Sequence, residues 1–367
     1  MTVSVPGRVN LIGEHIDYHN LPVLPMAIQR RVSIEYQPRA DSLIRAGSAS
    51  YPDRQFALSD LALFPPGDWG NYLKAAVQMI AGRWTITRGI DAHVASDLPS
   101  AAGLSSSSAL LTGFALALLR CNEIEPSLPE LLDLLPDGEQ LVGTRGGGMD
   151  HAAVLASRPG SALLIHFAPF QLEPVAIPVG WTFLVAHSLT SAQKSGALKA
   201  EYNARRTAGT AALRALGFSC YQDVLAAPDF DILAEKLPEL LPRDQRNAFL
   251  HVTGEARRVR RALDAIRRNE AGSFGKILLE SHASLRDHLR VSNPTLDALV
   301  TCAMDAGALG ARLTGAGFGG CTIILCETNN SSVIQERLIR SFFAVRPVFV
   351  RQNHLFEAIP STGAIHA

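Results

Sequence analysis

The side chains with the most chemical potential lie in one run near the N-terminus, Gly7-Arg8-Val9-Asn10-Leu11-Ile12-Gly13-Glu14-His15-Ile16-Asp17-Tyr18. The run places a guanidinium, an imidazole and two carboxylates around an apolar strand pattern. Charged groups beside a core cost free energy unless they face a polar partner. A strand with a charged edge would explain Glu14 or Asp17 singly, but it explains the whole cluster poorly. The run therefore predicts a site for a polar ligand.

A second run has the composition of a phosphate-binding loop. Pro99 to Ala109 reads P-S-A-A-G-L-S-S-S-S-A between a predicted strand and a predicted apolar helix. A loop of small residues that opens a helix directs several backbone N–H groups, and the positive end of the helix dipole, at one spot. Four consecutive serines add hydroxyl groups for phosphate oxygens or a metal ion, although the G-K-[ST] ending of a Walker A loop is absent. A serine-capped helix explains these residues equally well.

Two glycine-rich runs could bring the backbone close to a ligand. Leu313 to Cys321, L-T-G-A-G-F-G-G-C, lies between two predicted strands, where a tight hairpin is the simpler interpretation. Together with the 99–109 loop, it is better explained as backbone packed against a nucleotide or against that loop. Gly143 to His151, G-T-R-G-G-G-M-D-H, places Asp150 at a predicted helix start. Asp150 is equally well explained as an N-cap and as a ligand-binding carboxylate.

The elements that must position these residues are mixed in the first half of the chain and mostly helical in the second. Hydrophobic patterns predict strands at residues 2–5, 8–12, 26–36, 90–96, 162–167, 182–186, 309–314, 321–327 and 347–351. Patterns of helical period predict helices at residues 71–81, 109–119, 196–217, 230–240, 245–269, 272–289 and 294–306, and from Ser332 onward. These elements predict an α+β fold.

The length and composition limit the class of protein. With 367 residues the chain is long enough for two domains, and 47% apolar and 19% charged residues are typical of a globular fold. A net charge of zero gives no sign of a nucleic acid or membrane partner. The N-terminus lacks a signal-peptide pattern, and the apolar stretch from Ala109 to Leu119 is about half of a membrane span. Five cysteines without C-x-x-C spacing predict reduced thiols in a cytoplasmic protein.

The runs at 7–18, 99–109 and 313–321 together resemble the GHMP kinase superfamily, and the first is similar to the galactokinase signature. The likeness continues at W-G-N-Y (69–72), E-Y-N-A-R-R (201–206) and E-S-H-A-S-L-R-D (280–287), so it covers essentially the whole chain. The resemblance implies a two-domain GHMP kinase fold with the active site in the cleft between the domains. We expect the domains to be residues 1–187 and 188–367.

The resemblance also implies roles for individual residues. Arg8 and Asp150 would be the catalytic pair. Sugar contacts would come from Glu14, His15, Asp17, Gly147, Asp150 and Tyr202. The ATP phosphates would lie on Gly103, Leu104, Ser105, Ser106, Ser107 and Ser108. Mg²⁺ would be bound by Ser107 and by a glutamate on the helix before the 143–151 run, for which Glu139 fits and Asp137 is a weaker candidate.

The implied function is the transfer of the ATP γ-phosphoryl group to the anomeric hydroxyl of a monosaccharide, with galactose as the first choice. Such transfer needs positioning and charge stabilisation, which an aspartate held ionised by an arginine would supply. Four residues depart from the family pattern beside the implied sugar pocket: His19, Leu21, Arg145 and His151. N-acetylgalactosamine or another sugar therefore stays open. Some family members are sensors that bind both ligands without turnover, but the intact serine loop and catalytic pair favour a kinase.

Overall fold

The N-terminal run forms one long strand, β1 (Thr2–Ile12), in the computed structural model, where the sequence predicts two short strands. Its antiparallel pairing with β2 (Leu24–Pro38) shifts register between Pro6 and Arg8 and again between Asn10 and Ile12. Such irregularities bend a strand and re-aim its side chains, so the pairing shifts at Gly7, after Pro6, without ending the strand. The structure describes residues 1–99, 102–190, 196–228, 236–237 and 239–366.

Three sheets contain the strands of the described residues. Three further strands, β3 (Leu43–Ser48), β4 (Tyr51–Ala57) and β5 (Ile90–Ser96), complete a five-stranded sheet in the order β1-β2-β5-β3-β4. A two-stranded sheet pairs β6 (Ser161–Phe167) with β7 (Phe170–Ala176). The last sheet joins β8 (Trp181–His187), β9 (Gly310–Leu313), β10 (Cys321–Glu327) and β11 (Leu355–Ala358) in the order β11-β8-β10-β9.

The helices follow the predicted division between the two halves of the chain. The first half contains α1 (Gly70–Ala81), α2 (Ser106–Cys121), α3 (Leu128–Leu141) and α4 (Met149–Ala156). The second half contains α5 (Gly196–Ala215), α6 (Tyr221–Ala226), α7 (Arg243–Arg267), α8 (Ala271–Ser284), α9 (Pro294–Asp305), α10 (Ser331–Leu338) and α11 (Arg351–His354). The helix predicted at 230–240 lies mostly outside the described residues. The α+β prediction is confirmed, and no described helix is long and apolar enough to cross a membrane.

Two helices show how the sequence sets the elements around the site. The apolar run at 109–119 becomes the buried centre of α2, which packs against β1, β2 and α1 and so fixes the serine loop at its own N-terminus. At the start of α9, the Asn293 side chain accepts hydrogen bonds from the backbone N–H groups of Thr295 and Leu296, at 3.0 and 2.9 Å. With Pro294 in the first turn, this is the predicted cap.

The strand predicted at 347–351 is wrong. That segment is a turn that leads into α11, and its two valines face solvent, with Val348 65% and Val350 50% exposed. The strand forms instead at β11, where Leu355 and Phe356 are buried against β8. Apolar composition predicted the wrong segment because burial, and not the presence of valines, decides which residues pair.

The two halves of the chain are interleaved near the predicted domain boundary. Strand β8 pairs with β10 and β11, which favours a boundary ahead of Trp181, while the boundary at 187/188 stays a prediction. The C-terminal tail returns to the first half, where the Ser361 N–H donates to the Ala27 carbonyl at 2.9 Å and the Gly363 N–H to the Ser157 carbonyl at 2.8 Å.

Candidate active site

A cleft of about 900 Å³ collects the predicted site residues. All of them line it except Ser108, whose side chain is fully buried behind the cleft wall. Asp137, the weaker of the two metal candidates, is exposed and hydrogen-bonds Gln140 on the outside of α3, so the structure favours Glu139. Runs far apart in sequence thus meet in one cleft, while the roles assigned to their residues stay predictions.

The centre of the cleft is an ion pair between β1 and the first turn of α4. Arg8 Nε lies 2.8 Å and Nη2 2.7 Å from Asp150 Oδ1, while Nη1 donates to the Gly103 carbonyl at 2.6 Å. Burial alone would lower the pKa of Arg8, but the charges of Asp150 and Glu14 prevail and raise it. The Arg8 side chain is 5% exposed and that of Asp150 25%, so the carboxylate is the partner that opens onto the cleft.

A second carboxylate lies beside this pair. The buried Ser108 hydroxyl donates to Glu139 Oε1 at 2.6 Å and lies 3.4 Å from Asp150 Oδ2. Ser107, the predicted metal ligand, lines the cleft together with Tyr72, and burial and the charge of Glu139 raise the Tyr72 pKa to about 12. The hydroxyl that contacts Glu139 directly is therefore that of Ser108. Carboxylate and hydroxyl oxygens are hard ligands of the type that Mg²⁺ prefers.

The serine loop has the backbone geometry of an anion-binding turn. Gly103 and Ser105 have positive φ angles of 75° and 59°, and α2 begins at Ser106. The Ser105 hydroxyl is buried without a hydrogen-bond partner among the described residues. A buried polar group without a partner costs free energy, which a phosphate oxygen would recover. The predicted loop residues Ser100 and Ala101 lie outside the described part of the chain.

The glycine-rich turn at 313–321 packs directly on this loop, as the sequence predicted. A Cβ at Gly315 would lie 2.5 Å from the Gly103 carbonyl oxygen, and a Cβ at Gly320 would lie 2.7 Å from that of Ala102. Gly315 also has a φ angle of +84°, which side-chain-bearing residues rarely adopt. The Cys321 N–H donates to the Ala102 carbonyl at 3.0 Å. Glycine is therefore required where two backbones touch behind the serine loop.

Asp17 and Gly147 hold the polar end of the cleft together. The Gly147 N–H donates to Asp17 Oδ2 at 3.0 Å, and a Cβ at Gly147 would lie 2.3 Å from the Tyr18 backbone nitrogen. Burial and the nearby charge of Asp150 raise the pKa of Asp17 to about 6, against the hydrogen bonds from Tyr18 and Gly147. Asp17 therefore sits close enough to Asp150 for the two carboxylates to repel each other.

His15 and Tyr202 form the aromatic wall of this end. Rings of His15 and Tyr202 lie 5.2 Å apart, and His15 Nδ1 is 2.9 Å from the Tyr18 hydroxyl. Burial, followed by the charge of His251, lowers the pKa of His15 to about 3, so the imidazole is neutral near pH 7. His15 Nε2 lies 3.2 Å from the Ala316 carbonyl, which ties this wall to the glycine turn.

The surroundings of Glu14 were not predicted from the sequence. Its Oε1 lies 3.0 Å from Nη2 of Arg312, which is fully buried in β9. Glu255 and Ser281, from α7 and α8, also contact Arg312. The only signal was an arginine inside the apolar run G-A-R-L at 310–313, where an unpaired charge would be costly.

Three of the four residues that depart from the family pattern do not line the cleft. His19 is buried against Tyr221, and Leu21 belongs to the core. Arg145 is exposed, and its backbone contacts Asn203. His151 does line the cleft, with its Nδ1 3.2 Å from the Thr112 hydroxyl.

Beyond the serine loop the cleft continues between the start of α1 and the strands β3 and β5. This end is lined by Ser48, Tyr51, Asp68, Trp69 and His93, among others. The rings of Tyr51 and Trp69 lie 6.2 Å apart. Aromatic faces of this kind suit a flat ring. In this part of the cleft, the W-G-N-Y run was the one feature noted from the sequence, and no role was assigned to it.

Three family models match the chain. Residues 1–38 match the galactokinase galactose-binding signature, residues 71–158 the GHMP kinases N terminal domain, and residues 262–345 the GHMP kinases C terminal region. The first match contains the polar cluster of β1, the second contains the serine loop and Asp150, and the third contains the glycine turn. The three runs thus each fall in a matched region, whereas Tyr202 and the aromatic end of the cleft at 48–69 lie between the matched ranges.

Curated relatives and solved structures agree with these matches. The galactokinase of Roseiflexus sp. is 36% identical over 93% of this chain and 87% of its own length. The human galactokinase is 34% identical over 90% of this chain and 84% of its own. The structure of Lactococcus lactis galactokinase complexed with galactose superposes with a TM-score of 0.88 at 25% identity, covering 99% and 94% of the two chains. A Methanococcus jannaschii mevalonate kinase, at 19% identity and a TM-score of 0.66, shares the fold.

Proposed function

The chain belongs to the galactokinase family of GHMP kinases, and from that premise we propose that it transfers the γ-phosphoryl group of ATP to the anomeric hydroxyl of galactose. The observation that carries this proposal is the Arg8–Asp150 ion pair, which stands between the serine loop and the Asp17–Gly147 contact. A sugar on one side and a nucleotide on the other would meet at that pair.

In the proposed reaction, Arg8 and Asp150 position the reacting groups and stabilise charge. The anomeric oxygen attacks the γ-phosphorus, the bond from phosphorus to the β–γ bridging oxygen breaks, and the hydroxyl proton passes to Asp150. Arg8 keeps Asp150 ionised and places positive charge beside the transferring group. Its third contact, to the Gly103 carbonyl, orients the guanidinium relative to the serine loop.

The oxygen-rich corner beside this pair fits a magnesium ion. We propose that Glu139 and Ser107 bind it, with Ser108 supporting Glu139 through the 2.6 Å hydrogen bond. When bound, Mg²⁺ would neutralise charge on the β and γ phosphates. The serine loop would supply N–H groups and the Ser105 hydroxyl to the phosphate oxygens. The aromatic end of the cleft, beyond the loop, would then accommodate the adenine ring.

Galactose is the sugar that the chain favours. The galactose-binding signature covers β1 and its neighbours, and three of the four unusual residues lie outside the cleft, so they do not alter its lining. The proposed sugar contacts are Glu14, His15, Asp17, Gly147, Asp150 and Tyr202. We also propose a cytoplasmic location, which is in keeping with five free cysteines.

ADP formation with a panel of free sugars tests the proposal. We expect galactose to stimulate ADP formation most strongly and the product to be a sugar 1-phosphate, identified by its phosphorus–proton coupling in NMR. N-acetylgalactosamine, glucose and arabinose are the comparison sugars. Stronger stimulation by any of them would reassign the substrate, and ATP binding without turnover on any sugar would indicate a sensor.

A further inference from the structure

A buried cluster of four charged side chains joins the end of β1 to the second half of the chain. Its members are two glutamates and two arginines: Glu14, Glu255, Arg258 and Arg312. Their side chains are 3%, 0%, 12% and 0% exposed, in that order. When all four are ionised, their charges cancel. Because a buried charge is tolerated only with a partner, the four depend on one another.

Arg312 is the member that connects the cluster to β1. Its Nη2 lies 3.0 Å from Glu14 Oε1, and its Nη1 lies 3.9 Å from Glu255 Oε1. The same guanidinium donates to the carbonyl oxygens of Asn10 and Leu11, at 2.7 and 3.1 Å. It therefore holds the irregular end of β1, the strand that carries Arg8 and leads into Glu14.

Arg312 contacts only one of the two carboxylate oxygens of Glu14, Oε1. Its Oε1 also accepts hydrogen bonds from the Gly315 N–H at 2.6 Å and the Thr314 hydroxyl at 3.3 Å. Glu14 lines the cleft, and none of these bonds uses Oε2. One oxygen is thus anchored to the glycine turn and to Arg312, while the other is left for a ligand hydroxyl.

We infer that Arg312 is a positioning residue: it fixes Glu14 Oε1, so that Oε2 is held ready for a sugar hydroxyl. This inference rests on the proposed function, because it assumes that Glu14 contacts the sugar. Without Arg312, the only guanidinium left in the cluster would be that of Arg258, which pairs with Glu255, while Arg8 is held by Asp150. Glu14 would then lose the contact that fixes its Oε1 and would move, so sugar binding would weaken.

A double-mutant cycle between Arg312 and Glu14 tests the inference. We expect Arg312→Met and Glu14→Gln each to raise the KM for galactose about tenfold or more, with kcat within about threefold of wild type. The double variant should be no worse than the worse single variant, because each change removes the same interaction. A merely structural role would instead give effects on KM that multiply.

Stability supplies a second readout of the same cycle. Arg312→Met leaves two buried carboxylates with one guanidinium, whereas the double variant leaves one of each. We therefore expect the double variant to have a higher Tm than Arg312→Met alone. If Arg312→Met does not fold, Ser281→Ala replaces it, since the Ser281 hydroxyl bridges Arg312 and Glu255 at 3.3 and 2.8 Å.

The matched control is Arg261→Gln. Arg261 joins α7 to α8 through Glu280, but this pair is 53% and 44% exposed, so its loss should leave the KM for galactose unchanged. A folded Arg312 or Ser281 variant with wild-type KM, or an additive cycle, would overturn the inference. Wild-type protein without galactose turnover would overturn the proposed function instead. The Tm values of the single and double variants are measured whether or not the wild-type protein turns galactose over. If the Tm changes of the two single substitutions simply add in the double variant, Arg312 and Glu14 are not coupled.

Discussion

At the scale of single residues, Asp150 is the group on which the proposed chemistry depends. It contacts Arg8 through Oδ1 and faces the Ser108 hydroxyl through Oδ2, so both sides of the carboxylate are fixed. Asp150→Asn keeps the size and shape of the side chain but removes its charge and the proton acceptor. We expect kcat to fall at least about 100-fold, as measured by coupled ADP release.

The control for this substitution is Asp137→Asn. It makes the same chemical change on the exposed side of α3, and it should leave kcat at the wild-type value. Circular dichroism and Tm show whether both variants are folded. Near-wild-type turnover in folded Asp150→Asn protein would exclude Asp150 as the proton acceptor.

Asp17 should make galactose binding depend on pH. Its pKa is raised to about 6 by burial and by the charge of Asp150, so it gains a proton as the pH falls through that value. A protonated carboxyl accepts hydrogen bonds less well than a carboxylate. We expect the KM for galactose to rise between about pH 6.5 and pH 5.5, measured at saturating ATP.

Asp17→Asn tests whether this group is responsible. The variant should have a raised KM that no longer changes over the same pH range. A wild-type KM that is flat across pH 6, or a variant that keeps the inflection, would assign the titration elsewhere.

Protonation of Asp17 affects stability in the opposite direction from galactose binding. Because the pKa of Asp17 is raised in the folded state, folding favours its protonated form. Asp17 therefore contributes stability at low pH that is lost as the pH rises through about 6.

Ser107 and Ser108 divide the proposed metal site between them. The family resemblance assigns the magnesium ligand to Ser107, while the structure places the Ser108 hydroxyl on Glu139. We expect Ser107→Ala to raise the Mg²⁺ concentration needed for half-maximal activity several-fold. Ser106→Ala, on the same turn, is the control and should not change it. An unchanged titration in Ser107→Ala together with a raised one in Ser108→Ala would move the ligand to Ser108.

The residues of the cleft could be predicted from sequence because they lie in dense local runs. Arg8, Glu14 and Asp17 occur within ten positions, where their number is itself a signal. Arg312 and Glu255 could not be found in this way, since Arg312 is the single charge of β9 and Glu255 is one of many charges along α7. Their meaning comes from partners far away along the chain.

At the scale of elements, the contact between the serine loop and the glycine turn is the most sensitive packing in the site. Gly315→Ala would place a Cβ 2.5 Å from the Gly103 carbonyl oxygen at a φ angle of +84°. The turn and the loop must move apart. We expect the KM for ATP to rise about tenfold or more, with a smaller change in Tm, measured at saturating galactose.

Gly272→Ala is the control for the glycine substitution. No heavy atom lies within 4 Å of a Cβ at Gly272, in the first turn of α8, and that position has no positive φ angle. Its kinetics should match wild type, and alanine should stabilise the helix by about 0.5–1 kcal/mol. A Gly315→Ala protein with unchanged KM for ATP would show that the two loops act independently.

Elements with a strong period were predictable, and those at edges were not. The predicted strand at 90–96 coincides with β5, and the predicted helix at 294–306 extends one residue beyond α9. The edge strand β4 was missed because only Phe56 of its seven residues is buried, so it shows no alternation. The strand at 347–351 was predicted wrongly for the opposite reason. Its valines match the apolar pattern of a strand, but in the structure they are exposed to solvent.

At the scale of the whole molecule, the family and fold followed from the order of the motifs along the chain. The resemblance to galactokinases is confirmed over most of the chain. The path of the C-terminal tail could not be predicted from the sequence, because it depends on backbone contacts that side-chain patterns do not encode. Residues 359–366 run back from β11 to β2 and α4 in the first half.

Removing this tail should destabilise the protein without changing its chemistry. The backbone N–H groups of Ser361, Gly363, Ala364 and Ile365 donate to residues 27, 157, 154 and 155, at 2.9, 2.8, 2.8 and 3.2 Å. At about 1 kcal/mol for each lost hydrogen bond, we expect deletion of residues 359–367 to lower Tm by roughly 10 °C.

Deletion of residues 366–367 alone is the control and should have little effect. Because no tail residue lines the cleft, kcat and KM at 25 °C should stay near wild type. An unchanged Tm would mean that the two halves of the chain hold together without the tail, and lost activity in folded protein would mean that the tail shapes the cleft.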